Sequence, residues 1–116
     1  MVRLILRHLS GARATETDII PVGAHRELIL GRALSAAVRF DPERDTAVGR
    51  HHARLVPRDD GRVGFVIVDL GSRNGTYVNG ERIAGVVDLG LGDVIQLGEN
   101  GPRIEIRFEV GFGPPW

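Results

Sequence analysis

Three stretches of this 116-residue chain hold most of the side chains that could do chemistry: Leu30-Gly31-Arg32, then Val48-Gly49-Arg50-His51-His52-Ala53, then the run from Asp69 through Ser72-Arg73-Asn74-Gly75-Thr76 to Asn79-Gly80. Arginine is their common element. All 15 basic residues of the chain are arginine and none is lysine. A guanidinium is a planar fork that grips phosphate or carboxylate through two N–H bonds, which a lysine ammonium does not reproduce. The nucleotide composition of the source genome accounts for most of this bias. Taken alone, Gly31-Arg32 fits a surface arginine paired with Asp41 or Glu43, a contact contributing under about 1 kcal/mol.

Catalytic chemistry is poorly served by the same residues. The chain has no glycine-rich P-loop, no nucleophile elbow, and no Ser, His and Asp set whose positions suggest a triad. His51 and His52 are adjacent, so on a strand they point to opposite faces, and no third His, Cys or carboxylate lies at a metal-ligand spacing. Asp59-Asp60 sits at a turn, where solvated carboxylates are the ordinary finding. The expectation is therefore a domain with no catalytic residue, no metal and no cofactor.

The elements that must position these residues read as all-β. Short apolar runs separated by turn residues recur at Val2–Leu9, Asp18–Val22, Glu27–Gly31, Ala37–Phe40, His52–Pro57, Val63–Leu70, Thr76–Val78, Arg82–Ile83, Asp93–Leu97 and Arg103–Val110. The first pair of runs is compatible with a hairpin-like start. Arg58-Asp59-Asp60-Gly61 and Asn79-Gly80 supply tight hairpin turns, and Gly98-Glu99-Asn100-Gly101 turns between the last two runs. No capped, amphipathic helical stripe appears. Such spacing indicates a β-sandwich. The length suits one domain, expected over residues 1–110, with 111–116 (Gly-Phe-Gly-Pro-Pro-Trp) a Gly/Pro-rich tail or linker. No cysteine is present, which is compatible with a reducing cytosol and rules out a disulfide framework or thiolate zinc site. No run approaches the roughly 20 apolar residues of a membrane-spanning helix, and no signal-peptide core opens the chain. Net charge is zero, whereas nucleic-acid binders usually show a basic excess. A cytoplasmic protein without membrane or nucleic-acid partners is expected.

In their order and spacing the three stretches resemble the forkhead-associated (FHA) family of phosphothreonine-binding domains, over roughly Val2 to Val110. The third stretch is the most specific, and Leu91-Gly92-Asp93-Val94-Ile95-Gln96-Leu97-Gly98 is similar to the family's penultimate strand. The resemblance implies a two-sheet antiparallel β-sandwich of about eleven strands, FHA/SMAD-like, with a ligand held by loops at one apex. It implies that Arg32, Gly49, Arg50 and Arg73 face a phosphate, that Asn74, Asn79 and Ser72 face the peptide, and that Gly31, His52, Gly75 and Thr76 support the loops. The Asn-Gly turn alone would also explain Asn79.

Gly49 departs from the family pattern, where a serine usually offers both hydroxyl and backbone N–H to the phosphate. Losing one charge-assisted hydrogen bond weakens binding by about 1.5–3 kcal/mol unless Thr46, the Arg50 guanidinium or a water replaces it. A backbone that requires positive φ would be a second reason for glycine.

The expected function is an adaptor module that binds a protein segment phosphorylated on threonine by a Ser/Thr kinase, the partner being that kinase or its substrate. The alternative is a phosphate-independent interaction domain within a larger multidomain protein. The Arg-only basic set also hints at a G·C-rich bacterial source.

Overall fold

The computed structural model describes residues 2–23 and 27–111. Eleven strands occur in chain order: β1 Val2–His8, β2 Thr17–Pro21, β3 Leu28–Gly31, β4 Val38–Arg39, β5 Ala53–Pro57, β6 Phe65–Asp69, β7 Thr76–Val78, β8 Glu81–Arg82, β9 Val86–Leu89, β10 Val94–Leu97 and β11 Arg103–Val110. They form a six-stranded sheet in the order β2-β1-β11-β10-β7-β8 and a five-stranded sheet in the order β4-β3-β5-β6-β9. Every pairing is antiparallel except the short parallel contact of β3 with β4.

Period-two patterning explains which side chains meet between the sheets. Leu4 and Leu6 of β1, Ile104 and Ile106 of β11, and Ile95 and Leu97 of β10 point inward from one sheet. Leu28 and Leu30 of β3, Leu55 of β5, and Phe65 and Ile67 of β6 meet them from the other. Each fully buried side chain of this size contributes about 1.5–3 kcal/mol relative to exposure. The core thus fixes strand register, because a one-residue slip would turn these side chains to solvent.

Two local expectations differ from the structure. The strand β9 was not among the apolar runs read from the chain, since Val86–Leu89 is a four-residue stretch between Gly85 and Gly90. It forms an edge of the five-stranded sheet through pairing with β6. The β5–β6 connection is longer than a tight Asp-Gly turn: Pro57 pairs with Phe65, leaving residues 58–64 as the loop, with Gly61 and Gly64 both at positive φ. Arg58 bonded to Asp60 and Asp88 organises it. Of the expected tail at 111–116, all but Gly111 lies outside the described residues.

Candidate functional site

Loops β3–β4, β4–β5, β6–β7 and β10–β11 meet at one end of the sandwich. The first two are zipped together, since Arg32 N donates to Gly49 O and Ala33 N to Arg50 O. This close approach is why position 31 is glycine. A Cβ there would lie 2.0 Å from the Arg50 carbonyl oxygen.

His52, fully buried, joins the loops. Its Nδ1 accepts from Gly49 N at 2.9 Å and its Nε2 is 2.8 Å from Gly75 O. A carbonyl can only accept, so Nε2 carries the proton and the ring is neutral. Burial lowers the His52 pKa, outweighing the Gly75 carbonyl and the Asp69 charge, which act to raise it. Gly75 O also accepts from Gly98 N at 2.8 Å, so one carbonyl ties β6–β7 to both β4–β5 and β10–β11.

Asp69 braces the β6–β7 loop from below. Its carboxylate accepts from the hydroxyls of Ser72 and Thr76 and from the amides of Gly71 and Ser72. Burial disfavours the charge, yet the hydrogen bonds outweigh burial and hold its pKa below the usual carboxylate range. A second carboxylate, the buried Asp45, accepts from Ala12 N and Asp41 N and so orders the β4–β5 loop against β1–β2. Neither aspartate was assigned a role from the sequence. Asp69, three residues before Ser72, carried a usable signal, because short acidic side chains commonly bond backbone two or three positions on.

Above this frame lies a pocket of about 260 Å³ lined by Arg32, Thr46, Ala47, Val48, Gly49, Arg73 and Asn74. Arg32, Gly49, Arg73 and Asn74 therefore share one rim. Arg32 makes no ion pair with Asp41, Glu43 or any other described carboxylate. Its Nε donates to Val48 O and its Nη1 to Pro42 O at 2.8 Å, which holds the guanidinium at the pocket and leaves Nη2 unbonded. Asn74 donates through Nδ2 to Ala47 O at 3.0 Å, so its Oδ1 stays available. The Arg73 side chain has no hydrogen bond or ion pair among the described residues.

Several expected site residues are engaged elsewhere. The Gly49 amide, expected to face phosphate, donates to His52 instead. Gly49 is also not at positive φ, and a Cβ there would meet His52 atoms at 3.6–3.8 Å, which is ordinary contact. The glycine is thus not required by backbone conformation. Ser72 Oγ donates to Asp69 and accepts from Gly75 N, and it does not line the pocket. Asn79, at φ 51°, donates to Asp93 and accepts from Val94 N, locking the β7–β8 turn against β10. Its side chain is spent on that turn. Arg50 is exposed and outside the pocket lining. Of the two neighbouring histidines, His51 is exposed and His52 buried, and among the described residues no group of three or more His, Cys, Asp or Glu could hold a metal. No described helix is long and apolar enough to cross a membrane.

Comparison with known proteins agrees with this fold. The FHA domain family model matches residues 28–98. An oxoglutarate dehydrogenase inhibitor of Corynebacterium diphtheriae is 34% identical over 114 aligned positions, covering 79% of this chain and 77% of that protein. Among solved structures, an FHA domain from an analysis of phosphothreonine-dependent FHA interactions superposes with a TM-score of 0.73 at 28% identity, covering 94% of this chain and 99% of that one. The FhaA FHA domain, solved in complex with the intracellular domain of Rv3910, gives 0.66 at 32% identity, with 92% and 100% covered.

Proposed function

Because this chain belongs to the FHA domain family, we propose that it is a non-enzymatic regulatory module that binds a protein segment phosphorylated on threonine. The observation that carries this reading is the gathering of Arg32, Arg73 and Asn74 from loops far apart in sequence around one pocket. A phosphothreonine brings nearly two negative charges and three acceptor oxygens. Arg32 offers its free Nη2 from a guanidinium already held by two carbonyls, so little side-chain entropy is lost on contact. Arg73 adds a second cation at the same rim, and Asn74 offers its carbonyl oxygen to a peptide N–H. One solved relative studied for phosphothreonine-dependent FHA domain interactions and another solved in complex with a protein support the same class of ligand.

The test compares one peptide in phosphorylated and unphosphorylated form by isothermal titration calorimetry. Binding is expected only with the phosphate, and Arg32→Ala is expected to remove most of that difference. Equal affinities would sink the reading.

Gly49 favours a second reading. It has no hydroxyl and its amide is already bonded to His52, so the chain meets its partner with fewer phosphate donors than the family pattern implies. Binding to a protein partner that persists after phosphatase treatment would support phosphate-independent recognition through the same loops or a sheet edge.

A further inference from the structure

The end of the sandwich away from the phosphate pocket carries a groove of about 250 Å³. β5 leaves the β4–β5 loop at Ala53 and reaches Pro57, so the β5–β6 loop that follows lies at this opposite end. Val2 and Val22 line the groove from the side of the six-stranded sheet, and Val63 and Phe65 from the side of the five-stranded one. Phe65 meets Phe108 edge to face, with ring centroids 5.5 Å apart. Two arginines complete the rim. Arg58 is spent on Asp60 and Asp88, whereas the Arg62 side chain has no hydrogen bond or ion pair among the described residues.

The carboxyl end of β11 delivers the chain to this groove. Val110 pairs with Val2, and Val63 and Val110 are each about half exposed. The residues after Gly111 are Phe-Gly-Pro-Pro-Trp, so two of the chain's aromatic residues (four Phe, one Tyr and one Trp in all) fall within five positions. A segment that only had to stay in water would gain nothing from two large apolar rings. From Val110 to Trp116 an extended chain reaches up to about 20 Å, Pro114-Pro115 favours that extended form, and packed sheets lie about 10 Å apart. Trp116 can therefore reach the far wall. The groove falls below the roughly 300–1,000 Å³ of small-molecule sites and suits one ring. An indole would lay its apolar face on Val63 and Phe65 and offer its π-electrons to the Arg62 guanidinium.

We infer that the chain's own segment 112–116 docks in this groove, with the Trp116 indole seated between Val2 and Val63 beside Arg62. Attachment at Val110, next to a groove wall, holds the ring at millimolar effective concentration, which favours this tail over the tail of a second copy. The seat clamps the two sheets together at the end opposite the phosphate pocket. It is independent of what that pocket binds.

Trp116 is the single tryptophan of the chain, so its fluorescence reads the seat directly. The full chain should emit to the blue of free tryptophan and resist acrylamide quenching. Both properties should be lost in Val63→Asp, which puts a charge on an exposed groove wall. In the unaltered chain, NOE contacts should run from the indole protons to the methyl groups of Val22 and Val63. Removing residues 112–116 should shift those methyl resonances and lower the thermal midpoint by about 3–6 °C. Emission and quenching equal to those of a free Phe-Gly-Pro-Pro-Trp peptide, or no such NOE contacts, overturns the inference. Blue emission that returns to the red on dilution places the tail in another copy's groove and overturns it as well.

Discussion

Replacing Gly49 by serine tests the pocket at a position where the resemblance implies a serine. The backbone there is outside the left-handed region, and a Cβ would stand 3.6 Å from His52 Nδ1, 3.7 Å from its Cα and 3.8 Å from its Cβ. The side chain therefore enters without strain, and loss of glycine's unfolded-state freedom stabilises the fold by about 0.4–1 kcal/mol. The gain in binding comes from the hydroxyl. A hydrogen bond to a charged group contributes about 1.5–3 kcal/mol. In an open pocket water competes, so the lower end applies, equivalent to about a tenfold tighter dissociation constant. Gly49→Ala isolates the methyl from the hydroxyl. Calorimetric titration of all three proteins with phosphorylated and unphosphorylated peptide, alongside thermal unfolding, gives both quantities. The reasoning fails if Gly49→Ser folds as stably as predicted yet binds the phosphopeptide no tighter than Gly49→Ala. It fails equally if the gain is the same without the phosphate.

Gly31→Ala should cost about 1–3 kcal/mol or more in chemical denaturation, because its Cβ collides with the Arg50 carbonyl rather than with a movable side chain; an unchanged midpoint would contradict the close approach of the two loops. Stability should also fall in mild acid. Burial lowers the His52 pKa, so the unfolded ring takes up its proton first as pH drops through about 6.5, and stability is full above that value and lost below it until the folded ring also protonates, at up to about 1.4 kcal/mol per pH unit. Imidazole NMR titration should place the His52 midpoint below 6.5, and a midpoint above it would contradict the neutral ring wedged between Gly49 N and Gly75 O.

Most strands were legible because inward positions alternate cleanly in β1, β10 and β11, where Leu4, Leu6, Ile95, Leu97, Ile104 and Ile106 all reach zero exposure. β9 escaped because four residues between glycines give too short a period to detect. In the site, sequence indicated which residue types gather but not which donors and acceptors were already committed. Gly49 N, Ser72 Oγ and the Asn79 amide each looked available and each has an internal partner. That distinction depends on how each loop folds and on which loops meet, as His52 and Gly75 do across 23 positions, and residue types alone do not encode it.

The anchoring of the apex through His52, Asp69 and the Gly75 carbonyl has a consequence for how such a module diversifies. Apart from those made by Arg32 and Asn74, the bonds that hold the loops begin and end on main-chain groups or on side chains below the pocket, whereas the side chains of Thr46, Ala47 and Arg73 on its wall carry no hydrogen bond of their own. Exchanging those wall residues leaves the scaffold's wiring intact, so new partners can be acquired by substitution at a few positions without first relearning how to fold.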